Sequence, residues 1–113
     1  MSKQSDDFRV DADTMVRLET ITASCNVASA HEIFKALADE RRVLIMRLLA
    51  ESELCVCDLV ELFDIEYSKL SYHLKVLKDA GLVSANRDGN YMTYRPTENG
   101  EDVIDIVLNL CTT

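Results

Sequence analysis

Several residue types are scarce in this chain of 113 residues, which has no tryptophan, one proline and three glycines. Few prolines and glycines favour long regular elements, and a hydrophobic fraction of 48% is too high for a disordered chain. No apolar run reaches the roughly 20 residues that a membrane-spanning helix needs. We therefore expect one helix-rich globular domain with a core of modest size.

The beginning of the chain lacks an apolar segment of the signal-peptide type, because its first residues, MSKQSDDFRVDAD, are polar and acidic. We expect a cytoplasmic protein, in which thiols stay reduced. We then expect the four cysteines to serve in metal binding, in redox chemistry or as buried packing residues rather than in disulfides. Residues 1–12 are predicted to be a flexible tail and residues 13–113 a single domain with dimerisation helices at both ends.

Catalytic signatures are also missing. The chain shows no paired carboxylates and no glycine-rich phosphate loop, and Cys55 has no histidine nearby in sequence. A zinc finger is not expected, because no second Cys-x-x-Cys or His-x₃-His partner exists. We expect a protein that is not an enzyme.

The distribution of charge matters more than the net charge of -8 at pH 7. Residues 66–95 carry five basic and three acidic side chains, whereas residues 1–65 carry seven basic and thirteen acidic ones. Attraction to phosphate depends on the local potential, so this middle segment can face DNA while the acidic remainder points away. The net charge predicts weak non-specific binding to DNA and does not exclude specific binding.

Apolar residues return at steps of three and four along most of the chain, which predicts a series of amphipathic helices. The two central ones, CVCDLVELFD and SKLSYHLKVLKDAG, are joined by the tight connection IEYS. The second carries Leu70, Leu74 and Leu77 on one side and ends at Gly81. Two short helices joined by a tight turn, the second basic on its outside, are typical of a helix-turn-helix. The other helices are predicted over residues 13–25, 29–39, 40–52 and 97–111.

After Gly81 the pattern changes to two short runs with strand character, LVSANR and YMTYRP. Asp88-Gly89-Asn90 separates them, and Asp-Gly is a strong hairpin signal because its backbone tolerates positive φ. A hairpin beside the second helix of a helix-turn-helix is a wing. The predicted fold is mainly α with a β-hairpin wing (α+β), a winged helix-turn-helix.

The last predicted helix has an apolar face that little of its own domain remains to cover. We assign this face to the interface of a homodimer. It consists of Val103, Ile106, Val107 and Leu110.

The outer face of the second central helix suits the major groove, where short polar side chains and cations meet base edges and phosphates. Arg87 and Arg95 of the hairpin are placed to reach the DNA backbone or the minor groove. His73 lies near the apolar side, where a histidine is as often a hydrogen-bonded structural group, and a single helical lysine is more often merely solvated. The predicted DNA-binding residues are Ser68, Lys69, Ser71, Tyr72, His73, Lys75, Arg87 and Arg95.

Cys55 and Cys57 stand one residue apart in ELCVCDLV, directly before the predicted DNA-reading helix. In a regular helix they would lie about 200° apart, so both can bind one ion only where the helix starts at the pair or is distorted around it. Cys-x-Cys alone is a weak signal, and free cysteine is among the most often buried residue types. Packing and metal binding both stay open on the spacing alone.

Four segments resemble, in order and spacing, the ArsR/SmtB family of metal-sensing repressors. They lie within residues 33–96 and read LADERRVLIMRLL, ELCVCDLV, SKLSYHLKVLKDAGLV and RDGNYMTYR. The S-x-x-S-x-H-L pattern is shared across the family, and ELCVCDL is similar to its arsenic- and cadmium-sensing branches. The resemblance implies a homodimeric winged-helix repressor that binds a palindromic operator when metal-free and is released by a thiophilic ion.

The resemblance also implies that Cys55 and Cys57 are thiolate ligands of As(III), with Sb(III), Cd(II) and Pb(II) as further candidate inducers. The arsenic-sensor motif continues with a third cysteine, where this chain has Val60. Cys25 or Cys111 would then supply the third sulfur, as relatives draw ligands from the N-terminal segment or from beyond the wing. The zinc- and nickel-sensing site on the last helix is expected to be absent, because that helix has no histidine.

Three alternatives stay open beside this interpretation. Cys25 and Cys111 each fall on an apolar stripe and can be packing residues. The thiols can form a redox sensor, for which we expect a disulfide between segments or subunits, because one spanning a single residue is strained. The chain can also be an interaction module that binds a protein through its acidic surface, in which case salt-dependent DNA binding would be missing.

Overall fold

The computed structural model describes residues 8–111, which form six helices and three strands. The described part is elongated, with extents of 64, 27 and 24 Å along its principal axes. Of the predicted tail, residues 1–7 lie outside the described residues, and residues 8–11 precede the first helix without regular structure. The elements are α1 (Ala12–Ser24), α2 (Val27–Leu37), α3 (Glu40–Leu49), β1 (Leu54–Cys55), α4 (Val56–Phe63), α5 (Tyr67–Asp79), β2 (Val83–Asp88), β3 (Tyr91–Pro96) and α6 (Glu98–Leu110).

The helix-turn-helix consists of α4 and α5, and its turn has a local cause. Asp64 ends α4 in the left-handed region at φ 54°, and its backbone N–H donates to the carbonyl oxygen of Val60. The chain turns through Ile65 and Glu66 and becomes helical again at Tyr67, one residue earlier than predicted. The turn is therefore tighter than the sequence pattern indicated.

The wing is the predicted hairpin of β2 and β3, with Gly89 at φ 66° in its turn. The sequence did not reveal a third strand. The two-residue strand β1 pairs antiparallel with β3, so the sheet has the order β1-β3-β2. The segment before α4 is thus tied to the wing through backbone hydrogen bonds.

The core lies between α3, α4, α5 and the start of the wing. Gly100, at the first turn of α6, allows that helix to approach the carbonyl of Leu82 so closely that a Cβ atom would overlap it. The side chains with at most 1% exposure are Ile45, Met46, Leu59, Leu70, Leu74, Leu77 and Leu82.

The apolar face of α6 divides into two parts, which corrects the prediction that all of it is an interface. Val103 and Val107 are 7% and 6% exposed because α6 packs against α3 of the same chain. Ile106 and Leu110 are 55% and 76% exposed. The outer part alone is left for another molecule.

The first helix, α1, buries none of its residues within the described chain. Its apolar side chains Met15, Leu18 and Ile21 are 42%, 44% and 56% exposed. Among residues 8–111, no helix is both long and apolar enough to cross a membrane.

Candidate functional site

Cys55 is the residue at which the chain changes from strand to helix. Its backbone is extended, with φ −90° and ψ 163°, and it is the N-cap of α4. The Cys55 sulfur accepts a hydrogen bond from the Asp58 N–H at 3.4 Å, and the Asp58 carboxylate accepts one from the Cys55 N–H at 3.1 Å. This reciprocal capping box fixes both side chains at the first turn.

The helix α4 starts at the cysteine pair, which is the condition under which both sulfurs can bind one ion. Because Cys55 lies outside the helix and Cys57 in its first turn, the spacing of a regular helix does not apply to them. The two Sγ atoms are joined in a disulfide, with the Cα atoms 5.3 Å apart, within the usual range for disulfides. This corrects the expectation that a disulfide of these thiols would have to connect different segments or subunits.

Asp58 adds an oxygen to the pair. One ligand atom from each of Cys55, Cys57 and Asp58 lies within 4.8 Å of the others, and Cys57 and Asp58 are exposed. Once the disulfide is reduced, two thiolates and one carboxylate can hold a thiophilic or borderline ion. Asp58 was not among the predicted ligands, although its position three residues after an N-cap is the capping-box signal.

Cys25 and Cys111 lie apart from this group. Cys25 is the residue after α1 and Cys111 the residue after α6, and both are free and exposed. Over residues 8–111, neither belongs to a cluster of candidate ligands with Cys55 and Cys57. The structure of one chain therefore brings together two of the four predicted metal ligands.

The thiol pair is connected directly to the wing. Cys55 pairs with Thr93 in the β1–β3 ladder, and the Thr93 hydroxyl donates to the Glu53 carboxylate at 2.6 Å. The same hydroxyl lies 3.2 Å from the carbonyl oxygen of Asn86 in β2. A displacement at Cys55 can thus reach both α4 and all three strands.

Most of the predicted DNA contacts on α5 face outward. Ser71 is half-buried, whereas the other polar side chains of this face are exposed. Lys75 forms an exposed ion pair with Asp79, whose hydrogen bond and charge raise the pKa of Lys75. The exposed α5 residues of the predicted set are Ser68, Lys69, Tyr72 and Lys75.

The two wing arginines are exposed and lie on opposite faces of the hairpin. Arg87 pairs with Met92 near the tip, and Arg95 pairs with Ser84 near the base. Since side chains alternate along a strand, Arg95 and Met92 point to different faces, and paired residues share one. The two arginines therefore cannot approach one surface in the same way.

His73 is the member of the predicted DNA-binding set that the structure buries, with 8% exposure. The Arg42 guanidinium donates to the His73 Nδ1 atom at 3.0 Å and to the Ala36 carbonyl oxygen at 2.6 Å. Burial lowers the pKa of His73; nearby Asp39 opposes this, and Arg42 adds to it. This environment favours the structural alternative for His73, which binds Arg42 of α3, and Arg42 in turn binds Ala36 of α2.

The chain matches known proteins over the same elements. Residues 39–85 match the family described as "Bacterial regulatory protein, arsR family". The arsenical resistance operon repressor of Bacillus subtilis (strain 168) is 50% identical over 62 residues, which cover 54% of this chain and 59% of that protein. The cadmium resistance transcriptional regulatory protein CadC of Listeria innocua is 35% identical over 86 residues, covering 75% of this chain and 72% of that protein.

A solved structure shows the same fold. It is the solution structure of a homodimeric winged helix-turn-helix DNA-binding domain from Mycobacterium bovis, described as a possible ArsR-family transcriptional regulator. It is 29% identical, has a TM-score of 0.66, and covers 97% of this chain and 86% of its own. The winged helix-turn-helix prediction is thereby confirmed, as is the expectation of a DNA-binding regulator in place of an enzyme. With α4 and α5 as its helix-turn-helix and β2–β3 as its wing, this chain belongs to the ArsR family of transcriptional regulators.

Proposed function

We propose that this chain is a homodimeric repressor that leaves its operator when Cys55 and Cys57 bind As(III), with Sb(III) as an inducer of the same chemistry. The observation that carries the proposal is that both sulfurs meet at the first turn of α4, one short helix before the DNA-reading helix α5. Soft thiolates prefer thiophilic ions to hard cations. The name of the Bacillus subtilis relative, an arsenical resistance operon repressor, supports arsenic as the inducer, whereas that of the Listeria innocua relative, a cadmium resistance regulator, supports cadmium.

Cys55 is suited to transmit binding because it has three attachments. Its side chain is part of the pair, its sulfur caps α4 through the Asp58 N–H, and its backbone pairs with Thr93 of the wing. A bound thiophilic ion would supply strong directional bonds to sulfur. Cys55 then shifts the start of α4 and β1 together, and this shift changes how α5 and the wing present their DNA-facing side chains.

The source of a third ligand separates two versions of the proposal. Among residues 8–111, the Asp58 carboxylate is the donor that clusters with Cys55 and Cys57. Cys25 and Cys111, the alternatives from the sequence, stand at the ends of the outer helices and would have to come from a second copy. Because Asp58 adds a harder oxygen donor, a Cd(II)- or Pb(II)-responsive repressor is the second candidate.

The DNA-binding surface of the proposed repressor consists of the exposed face of α5 and the wing. Ser68, Lys69, Ser71 and Tyr72 lie in the N-terminal half of α5, where a recognition helix contacts base edges. Lys75, Arg87 and Arg95 would contact phosphates or the minor groove. We leave the buried His73 out of this surface and assign it to the support of α5.

The dimer interface of the proposed repressor uses the apolar side chains that one chain leaves uncovered. They lie in a stripe on α1 and on the exposed part of the apolar face of α6. Phe34 on α2 is also 67% exposed. A groove of about 470 Å³ between α2, α3 and α6 is lined almost entirely by apolar groups, including Phe34 and Ile106. Such a surface is larger than single exposed residues and indicates a protein interface.

The test is fluorescence anisotropy of labelled DNA from the region flanking the protein's own gene, with fully reduced protein. The expected result is tight, salt-dependent binding that arsenite reverses and zinc does not. Release by cadmium or lead at lower concentrations than arsenite would favour the second candidate. Binding that none of these ions changes would overturn the proposed induction, and no binding at all would overturn the repressor.

A further inference from the structure

The structure holds Cys55 and Cys57 in a state that the proposed function cannot use. Their sulfurs are bonded to each other, whereas Cys25 and Cys111 are free. A disulfide has no thiolate, and the thiolate is the form of cysteine that binds metal. One pair of residues therefore has two chemical states with different capacities for the inducer.

The elements around the disulfide are complete in the bonded state. In this state Cys55 caps α4, because the Asp58 N–H donates to its sulfur and the Asp58 carboxylate accepts from its N–H. Cys55 also pairs with Thr93 in the wing. With the bond present, α5 has all its thirteen residues and an exposed polar face. The oxidised pair is thus compatible with a complete DNA-reading surface.

The pair is open to small reagents, since Cys57 is exposed and Cys55 is half-buried. With hydrogen peroxide as oxidant, one thiolate attacks the O–O bond and becomes a sulfenic acid, and the departing oxygen takes up a proton as water. The second thiol attacks the sulfenic sulfur, the S–S bond forms, and a second water leaves. The pair loses two electrons and two protons, and a dithiol reductant reverses the reaction by exchange.

We propose that the Cys55–Cys57 disulfide is a reversible redox gate on induction. The oxidised protein stays on its operator and cannot be released by a thiophilic ion, and reduction restores release. This inference rests on the proposed function, since both concern the same two thiols. The proposed gate differs from a redox sensor that leaves DNA on oxidation. In the bonded state Cys55 caps α4 and pairs with Thr93, and α5 is complete.

The experiment compares three preparations of the wild-type protein: reduced, oxidised with hydrogen peroxide, and re-reduced with dithiothreitol. Gel filtration removes the reagents, because dithiothreitol itself binds arsenite. Peptide mapping by mass spectrometry locates the disulfide, and anisotropy measures operator binding and its release by arsenite. We expect a Cys55–Cys57 bond, an operator affinity within about threefold of the reduced protein, no release by arsenite, and full recovery of release on re-reduction.

The double variant Cys55→Ser, Cys57→Ser is oxidised in parallel, and peroxide should leave its operator binding unchanged. A disulfide formed by other cysteines, loss of DNA binding on oxidation, or equal release of both wild-type forms would each overturn the gate. If reduced wild-type protein responds and oxidised protein responds as well, the gate alone fails. If reduced protein ignores arsenite, cadmium and lead, the proposed function fails and the gate fails with it.

Discussion

The helices α1 and α5 have the same length, thirteen residues, and both are amphipathic, yet they are used differently. Leu74 of α5 is 1% exposed, and its whole apolar side is covered by α3, α4 and the wing. Leu18 of α1 is 44% exposed, and α1 buries nothing in its own chain. An amphipathic pattern shows that a helix has a partner, but it does not say whether that partner is the same molecule.

The cysteines divide in the same way as the helices. Cys55 and Cys57 lie at the start of α4 and meet within one chain. Cys25 and Cys111 lie at the ends of α1 and α6, beside side chains that one chain leaves exposed. Cys55 and Cys57 therefore meet within a protomer, whereas Cys25 and Cys111 would reach them only from a second copy.

Leucine-to-alanine substitutions at matched positions of the two helices test this difference most strongly. Leu74→Ala should lower the free energy of unfolding by about 2–5 kcal/mol, because it leaves a cavity in a closed core. Leu18→Ala should change it by no more than about 0.5 kcal/mol in dilute protein, where single copies dominate. Urea denaturation of both variants measures this, and equal losses would remove the distinction between the helices.

His73 sharpens the account of the inner helix, because it is the polar member of the buried side of α5. His73→Leu removes the acceptor of the Arg42 hydrogen bond and should lower the free energy of unfolding by about 1.5–3 kcal/mol. His73→Asn is the matched variant, since its side-chain oxygen can accept the same hydrogen bond but cannot titrate. We expect His73→Asn to retain most of the stability that His73→Leu loses.

The same residue predicts a pH dependence. Burial lowers the pKa of His73 below the usual 6.5, so the unfolded chain binds its proton at a higher pH than the folded chain. The contribution of neutral His73 to stability is therefore complete above pH 6.5 and is lost as the pH falls through the folded pKa. Denaturation at several pH values should show this loss in wild type relative to His73→Asn, and parallel curves would contradict it.

Serine substitutions on α1 test whether its exposed apolar side chains bind a second copy. Leu18→Ser with Ile21→Ser should raise the dissociation constant of the dimer by about 100-fold or more, because each leucine-sized contact contributes roughly 1.5–3 kcal/mol on burial. Sedimentation velocity over a dilution series measures the effect. Thr20→Ser with Thr22→Ser is the control. It changes two polar residues of α1 and leaves the apolar Met15, Leu18 and Ile21 in place. An unchanged dissociation constant would show that α1 is not part of the interface.

The smallest expected effect concerns the link between the thiol pair and the wing. Thr93→Val removes the hydroxyl that donates to Glu53 and should lower the free energy of unfolding by about 0.5–1.5 kcal/mol. The double variant with Glu53→Ala should lose no more than the larger single change, since one hydrogen bond connects the two. Additive losses in this cycle would show that the two side chains act independently.

Local signals explain why most of the fold was predictable. Gly81 ends α5 at φ 79°, and Asp88-Gly89 forms the hairpin turn, so the sequence places these boundaries within a residue or two. The strand β1 has only two residues, and its partner Tyr94 is forty positions away, so no local pattern could reveal it. The apolar face of α6 was predicted as one surface because periodicity cannot separate Val107, which is buried, from Ile106, which is more than half exposed.

The candidate site was predictable in its composition but not in its geometry. The positions of Cys55 and Cys57 identified the pair, but whether their side chains meet depends on where α4 begins, and a one-residue shift decides that. Asp58 joins the pair for the same reason, because α4 begins directly after Cys55 and Asp58 is then the capping-box residue. His73 carried no sequence signal to separate burial from DNA contact, because it stands beside the apolar stripe of α5.

The central claim is that Cys55 and Cys57 are the residues through which a thiophilic ion releases the DNA. The most direct measurement is the arsenite titration of reduced, operator-bound protein in three forms: wild type, Cys55→Ser with Cys57→Ser, and Cys25→Ser with Cys111→Ser. Each variant lacks two thiols, so they differ only in which pair is removed. We predict that the first variant stays on the DNA at every arsenite concentration. The second variant is released like wild type when Asp58 is the third donor, and needs more arsenite when Cys25 or Cys111 of a second copy supplies the third ligand. Release of the Cys55→Ser, Cys57→Ser variant by arsenite would contradict the central claim.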